Sequence, residues 1–218
     1  MLENQSVMSR SAESVLSTNK VIRNTYSLLS MTLVFSAVMA FIAMNINVSS
    51  GAALIANIAA IAMMWFVLPR TANSASGIPV IFAITGLFGL GLGPMLNYYM
   101  KIDPSIVMTA LGGTGVIFLG LSGYALTTRK NFNFMGGFLM VGMFVIIGAS
   151  LLNIFLNIPA LFLTVNAAVI MIMSGFILYE TSAIIHGGER NYIMATASLF
   201  LSILNMFTAL LNILGNSR

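Results

Sequence analysis

Long apolar stretches and short polar breaks alternate along the whole chain. A window of about 20 residues, the length with which a helix crosses roughly 30 Å of hydrocarbon, finds seven apolar stretches. They cover residues 27–44, 52–69, 78–98, 105–127, 134–156, 159–183 and 193–214. The pattern predicts an all-α integral membrane protein with seven transmembrane helices. We expect a flexible, polar N-terminal tail over residues 1–25 and a transmembrane domain over residues 26–218.

The composition supports this prediction and excludes several other classes of protein. Of the 218 residues, 59% are hydrophobic and 6% are charged, whereas a soluble domain carries about 25% charged residues. Too few polar residues remain to cover a surface in water. Disordered proteins, cytosolic enzyme domains and nucleic-acid-binding modules are therefore excluded, despite the net charge of +4. The lipid bilayer is the environment that this composition fits.

Lys and Arg are distributed unevenly between the two ends of the predicted bundle. The tail and the even-numbered connections hold seven of them, and the opposite side holds only Lys101 and Arg218. Loops rich in Lys and Arg stay in the cytoplasm. The distribution therefore predicts a cytoplasmic N-terminus and a C-terminus on the outside.

Glu180 is the one acidic residue that lies inside a predicted span. An ionisable group there costs about 2.5–3.5 kcal/mol on insertion scales, so we expect it to face the bundle interior and to have a partner. Four cations on the same side of the membrane are candidate partners: Arg70, Arg129, Lys130 and Arg190. In the functional interpretation Glu180 is a pH-sensitive latch. In the alternative, the carboxylate is close enough to the interface to snorkel into water.

Other polar and small residues give weaker signals. Ser202, Asn205 and Asn212 fall on one stripe of span seven, which predicts either a hydrated crevice or a buried seam. His186 opens the loop after span six and is a candidate pH sensor, or a solvated bystander. Gly187-Gly188 is expected to end the sixth helix, and Gly89 with Gly93 predicts a close helix approach, as small residues at a spacing of four do.

The inventory of reactive side chains is nearly empty. One His and no Cys leave no thiolate nucleophile, no thiolate metal site and no convergent set of nucleophile, base and orienting group. The chain is therefore predicted not to be an enzyme, and no catalytic residue is assigned.

Several segments resemble the Bax-inhibitor-1 family, in particular its bacterial inner-membrane members. The most specific of them spans Tyr179 to Gly188, with its glutamate and its His-Gly-Gly sequence at the end of span six. The likeness extends over nearly the whole chain after about Val15, and its other segments are residues 16–26, 93–97, 126–130 and 153–156. The resemblance implies a multi-pass protein of the bacterial inner membrane in which six helices surround a central seventh.

The family resemblance also implies two alternative functions. Some members are pH-sensitive calcium leak channels, with an acidic pair on helices six and seven. Glu180 matches the first acid, and the second falls on Ser202. Glu180, Ser202 and Asn205 would give at most a weak Ca²⁺ site, because Ca²⁺ prefers six to eight oxygen ligands. No other cofactor is implied.

The second implied function is the restraint of a membrane protease. Some bacterial members bind the membrane AAA protease FtsH and are degraded by it only slowly. The polar tail, which begins Met1-Leu2-Glu3 and continues to about Lys20, is then the handle that the protease grips. A third alternative is a bundle that merely packs with other membrane proteins.

Overall fold

The computed structural model describes the backbone of residues 2–216 and the side chains of residues 18–216. Within this part of the chain every regular element is helical, and seven helices are long and apolar enough to cross a membrane. The prediction of seven spanning helices is thereby confirmed. The helices are α1 (Leu2–Asn45), α2 (Ser50–Thr71), α3 (Gly77–Ile102), α4 (Pro104–Thr128), α5 (Gly136–Leu156), α6 (Pro159–Ile185) and α7 (Tyr192–Asn216).

Six of the helices extend beyond their predicted apolar spans, α5 begins two residues later than predicted, and the first helix differs most from the prediction. Its backbone is helical from Leu2, so helix α1 runs through the segment predicted as a tail. The flexibility and the cytoplasmic position of residues 1–25 stay predictions. Of the expected protease handle, Met1 and the side chains of Leu2 and Glu3 lie outside the described residues, and Lys20 is exposed on α1.

Helix α7 is the most buried of the seven. Half of its most apolar window is buried inside the protein, against 17% for α2 and 11% for α5. Helices α1, α3, α4 and α6 pack against α7, while α2 packs on α3 and α5 packs on α6. Polar side chains of α7 therefore face protein and not lipid.

The ends of the helices follow the local sequence. Pro104 opens α4, and the Asp103 carboxylate before it accepts a hydrogen bond from the backbone N–H of Ser105 at 2.8 Å. Helix α6 ends in a left-handed Gly187 with φ +73°. The N–H of Gly187 donates to the Ile184 carbonyl at 3.3 Å, and the N–H of Gly188 donates to the Ala183 carbonyl at 2.8 Å. This is the Schellman pattern, and it confirms that Gly187-Gly188 ends the sixth helix.

One turn of α2 departs from α-helical geometry. Residues Met63–Val67 form a π-helical turn directly before Pro69. Because Pro69 has no N–H to donate to the carbonyl four residues earlier, the widened turn accommodates the missing hydrogen bond without ending the helix. Helix α2 therefore continues across the membrane to Thr71.

Helices α1 and α3 meet along three buried glycines of α3. A Cβ added at Gly86 would lie 2.7 Å from a ring carbon of Phe35, and one at Gly93 would lie 2.6 Å from the Cβ of Ala43. Between them, Gly89 packs directly on the backbone carbonyl of Ser36. The predicted close approach at Gly89 and Gly93 is confirmed. We call this contact the glycine seam.

Closing the glycine seam is expected to destabilise the protein. In Gly89→Ala the new methyl group meets backbone, which cannot rotate away, so we expect a loss of about 1–3 kcal/mol in the free energy of unfolding. The measurement is a titration of the purified protein in mixed micelles with dodecyl sulfate, followed by circular dichroism. Gly120→Ala on α4 is the matched control, because nothing lies within 4 Å of its added Cβ. Equal unfolding free energies for the two variants would contradict the close-packing account.

Candidate functional site

The sixth helix carries Glu180 to a position five residues before its end, where it faces helix α7. The side chain is partly buried, and its Oε2 atom accepts a hydrogen bond of 3.4 Å from the Ser202 hydroxyl. Ser202 is only 3% exposed and also donates to the Ser198 carbonyl at 3.1 Å. The structure thus brings together the acid of helix six and the residue that stands where the second family acid was expected.

The Ser202 hydroxyl gives this contact a specific proton chemistry. A serine hydroxyl has one hydrogen to donate and two lone pairs that accept. An ionised Glu180 competes with the Ser198 carbonyl for that single hydrogen. A protonated Glu180 can instead donate to Ser202, which keeps its own hydrogen on Ser198. The pair therefore has a different hydrogen-bond arrangement in each protonation state of the carboxyl group.

Other hydroxyl groups surround this region at the junction of α1, α4 and α6. The hydroxyls of Tyr26 and Thr181 share a hydrogen bond of 3.1 Å, and the ring of Tyr26 lies 6.1 Å from that of Phe118. The buried hydroxyls of Thr25 and Ser122 have no hydrogen-bond partner in the described part of the chain. Two buried hydroxyl groups, one on α1 and one on α4, therefore have unused hydrogen-bonding capacity.

Two further residues predicted for the site do not contact Glu180. The amide of Asn205 donates to the Leu201 carbonyl of its own helix at 2.9 Å. His186 is exposed, and its Nδ1 donates to the Ser182 carbonyl at 2.9 Å and lies 3.3 Å from the Ser182 hydroxyl. Its ring therefore forms part of the end of α6, one and a half turns away from Glu180.

The four candidate cations make other contacts. Arg70 donates to the Phe66 carbonyl at 2.5 Å, Lys130 donates to the Tyr124 hydroxyl at 3.3 Å, and Arg190 donates to the Gly187 carbonyl at 3.3 Å. Arg129 is the exposed, left-handed residue that ends α4. Among residues 18–216, Glu180 is hydrogen-bonded to Ser202 and forms no ion pair with these cations.

The donor set around Glu180 does not resemble a resident metal site. Within the described residues no group of three or more His, Cys, Asp or Glu side chains comes together. One carboxylate and one hydroxyl fall well short of the six to eight oxygens that Ca²⁺ prefers.

Asn191 is a structural residue that the sequence did not reveal. Its Oδ1 accepts the N–H groups of Ile193 and Met194 at 2.9 and 3.1 Å, which caps α7. Its Nδ2 donates to the Ala72 carbonyl at 3.0 Å and to the Asn73 side chain at 2.8 Å. Asn directly before a helix is a common cap, so the cap could have been predicted. The tie to residues 72–73 lies 119 positions away and could not.

Ser182 makes a second tie at the same end of the bundle. Its buried hydroxyl accepts the N–H of Phe132 at 2.9 Å and donates to the Lys130 carbonyl at 3.3 Å. Between the loops that Asn191 joins lies an open cleft of about 790 Å³, lined by residues 72–75 and 187–193. Ser182 and Asn191 together fix three loops relative to the ends of α6 and α7.

At the opposite end of the bundle, Asn212 of α7 bridges two helices. The Tyr99 hydroxyl of α3 donates to Asn212 Oδ1 at 3.1 Å, and Asn212 Nδ2 donates to Asn166 Oδ1 of α6 at 2.9 Å. Asn166 is 7% exposed, and its own Nδ2 donates to the Phe162 carbonyl at 2.8 Å. The stripe predicted on span seven therefore joins α3 and α6 at this position, where Asn212 also lines a cavity.

Comparison with known proteins gives a consistent result. A family model described as "Inhibitor of apoptosis-promoting Bax1" matches residues 18–218. The chain is 48% identical over 203 residues to the modulator of FtsH protease YccA of Escherichia coli, covering 93% of this chain and 92% of that protein. It is 49% identical over 207 residues to an uncharacterized membrane protein of Vibrio cholerae, covering 94% and 93% of the two chains.

Removing the hydroxyl of Ser202 is expected to destabilise the bundle. In Ser202→Ala, Glu180 loses the one hydrogen-bond partner described for it, so the unfolding free energy should fall by about 1–3 kcal/mol. Ser174→Ala is the control, because the Ser174 hydroxyl bonds only the Ile170 carbonyl of its own helix. A titration with dodecyl sulfate measures both variants. Adding Glu180→Gln to Ser202→Ala completes a double-mutant cycle, and additive losses would show that the two side chains are not coupled.

Removing the side chain of Asn191 is expected to open the loops that it ties. Loss of the cap should lower the free energy of local opening by about 1–2 kcal/mol. Because trypsin cleaves the opened form, the rate of cleavage after Arg190 should rise about 5- to 30-fold. The measurement uses the purified protein in detergent micelles, where both ends of the bundle are accessible to trypsin. Asn45→Ala is the control, since Asn45 bonds only the Phe41 carbonyl of its own helix. An unchanged cleavage rate in Asn191→Ala would refute the tie.

Proposed function

The chain belongs to the Bax inhibitor-1 family, and on this premise we propose that it binds and restrains a membrane-anchored AAA protease of the FtsH type. One observation carries the proposal: the relative named as a modulator of FtsH protease is 48% identical over 93% of this chain. The match covers nearly the whole of both chains, which supports a shared role. The chain is a multi-pass inner-membrane protein, as its seven spanning helices and its relatives indicate.

The proposal includes an orientation and an arrangement of the helices. The N-terminus is cytoplasmic and the C-terminus is outside, because seven of the nine Lys and Arg residues belong to the N-terminal segment and the even-numbered loops. Helix α7 is central among the other six, an arrangement supported by its burial and by its packing against α1, α3, α4 and α6. The N-terminal end of α1 then faces the cytosol.

The length of α1 supports a role for residues 1–20 as a handle. The helix has 44 residues, which is about 66 Å at 1.5 Å per residue, roughly twice the thickness of the hydrocarbon core. Its N-terminal part therefore extends outside the bilayer. A protease that pulls on this part applies force directly to α1.

Contacts of α1 with other helices explain how the bundle could resist extraction. The glycine seam joins α1 to α3 over three glycines. The Asn97 amide donates to the Met44 carbonyl at 3.1 Å, and the Thr196 hydroxyl donates to the Thr25 carbonyl at 3.3 Å. These bonds tie both halves of the transmembrane part of α1 to its neighbours. A protease that pulls on α1 has to break all of these contacts before it can pull on a second helix. Degradation would then be slow, and the chain would hold the protease for a long time.

No observation in the described residues favours a pH-sensitive cation leak as a second function. The acid pair of leak-type members is represented by Glu180 and Ser202, so two carboxylates do not share a proton here.

Shortening the N-terminal segment is the test of the handle. Deletion of residues 2–17 leaves the first candidate span, which begins at Thr18, intact. We expect the degradation of this variant to be several-fold slower than that of the full chain in cells that contain the protease, and equal in cells that lack it. The control replaces residues 2–17 with a Gly-Ser segment of equal length and should restore degradation. An unchanged half-life would refute the handle, and failure of the full chain to co-purify with the protease would refute the binding proposal.

A further inference from the structure

A cavity of about 430 Å³ lies where α5 ends and α6 begins, beside the C-terminal part of α7. Four asparagines from these three helices and from the α5–α6 loop line it: Asn153, Asn157, Asn166 and Asn212. Its remaining wall includes the apolar side chains of Phe162, Val165 and Val169. No Lys, Arg, Asp or Glu is among its lining residues. The cavity is therefore uncharged, amide-rich on one side and apolar on the other.

Hydrogen bonds within the chain already use the amide oxygens of three of these asparagines. Asn212 Oδ1 accepts from Tyr99, Asn166 Oδ1 accepts from Asn212, and Asn153 Oδ1 accepts the N–H of Ile158 at 3.0 Å. A backbone N–H can only donate, so the bond from Ile158 fixes the oxygen of Asn153. The Phe162 carbonyl can only accept, so it fixes the nitrogen of Asn166, and the bond between Asn166 and Asn212 then fixes the orientation of Asn212. The groups left for a ligand are mainly N–H groups.

The number of unused donors can be counted for each side chain. An amide nitrogen carries two hydrogens. Asn166 uses one of them on the Phe162 carbonyl and Asn212 uses one on Asn166, while the nitrogen of Asn153 has no hydrogen-bond partner among residues 18–216. Asn166 is 93% buried, since its exposure is 7%. The second hydrogen of the Asn166 amide and both hydrogens of the Asn153 amide are therefore free to donate to a ligand that supplies oxygen lone pairs.

The start of α6 adds to the same polarity. Its N-cap residue, Ile158, cannot accept a hydrogen bond through its side chain, and the helix begins with Pro159. The first N–H groups of a helix carry the positive end of its dipole and favour anions. The helix begins two residues after Asn157, so its positive end lies near the rim of the cavity, although its first residues do not line the cavity.

The cavity also has access to the lipid phase. Ile154 lines the cavity and is 66% exposed on the outer surface of α5. Helix α5 makes its most extensive contact with α6 and is only 11% buried in its apolar window. Asn166 lies seven residues into α6, about 10 Å from the end of the helix at 1.5 Å per residue. This depth suits the head of an amphiphile whose chain remains in hydrocarbon.

We propose that this cavity binds an acyl-chain amphiphile whose head is an oxyanion, a fatty-acid carboxylate or a lipid phosphodiester. The oxygens of the head accept hydrogen bonds from the amides of Asn153, Asn166 and Asn212. The chain leaves along the apolar wall past Ile154 into the bilayer. The site lies at the end of the bundle opposite to Glu180 and does not depend on the proposed protease partner.

The test measures binding of a fluorescent fatty acid, cis-parinaric acid, to the purified, delipidated full chain in a neutral detergent. Oleate and phosphatidylglycerol should displace the probe, and which of them does so more strongly identifies the source of the oxyanion. Methyl oleate, which has the chain without the charge, and inorganic phosphate, which has the charge without the chain, should not displace it. A photoreactive fatty acid should label the segment 150–169.

Two variants locate the binding site. Asn153→Asp keeps an acceptor for the N–H of Ile158 but replaces two donors with a negative charge, so the probe should bind at least about tenfold more weakly. Asn166→Asp should act in the same direction, and if it fails to fold, Asn153→Asp decides alone. Asn45→Asp is the control, because Asn45 lies at the same end of the bundle outside the cavity and should leave the affinity unchanged. Equal displacement by oleate and methyl oleate, or unchanged affinity in Asn153→Asp, would show a merely hydrated crevice and overturn the proposal.

Discussion

In hydrocarbon every polar group needs a partner inside the protein, and this requirement governs the arrangement of the bundle. The backbone meets it by forming helices. Most polar side chains in the spans meet it locally, because a hydroxyl or amide can donate to the carbonyl one turn earlier, as those of Thr114, Thr164, Ser174 and Asn205 do. Such a bond places no demand on a neighbouring helix. The few side chains that bond across helices therefore fix how the helices are placed relative to one another. They are Tyr26 with Thr181, Asn97 with the Met44 carbonyl, Thr196 with the Thr25 carbonyl, Glu180 with Ser202, and Asn212 with Asn166 and Tyr99.

The same requirement explains which features could be predicted from the sequence. The seven spans could be predicted because crossing hydrocarbon demands a long apolar run, and Gly187 marked the end of α6 because only a few residues tolerate a left-handed backbone. The residue types alone favoured a cation as the partner of Glu180, and only the family resemblance placed Ser202 near it. A guanidinium or ammonium group must leave water to reach it, and desolvation offsets the attraction. Arg70 and Arg190 instead donate to carbonyls at nearby helix ends.

The long-range hydrogen bonds could not be predicted from the sequence either, for a different reason. A capping preference depends on neighbouring residues and can be read from the chain, so the cap that Asn191 provides has a sequence signal. The bond of the same side chain to the Ala72 carbonyl depends on how α2, α3 and α7 are packed, and only the folded bundle supplies that information. The sequence therefore reveals the capping role of Asn191 but not its role in holding the loops together.

Helices α6 and α7 contact each other through polar groups near both ends and through an apolar layer between them. Glu180 with Ser202 and Asn166 with Asn212 form the two polar contacts. Between them the buried side chains of Ile172, Met173, Ile177 and Met206 pack into one cluster. An ion that followed this interface would have to enter a closely packed apolar layer, and such a constriction excludes water until the helices separate. In this conformation the two polar sites are separate, and their contribution is to hold α7 in register against α6 at both ends. Contacts at both ends of α6 and α7 support the proposal that the bundle resists extraction by a protease.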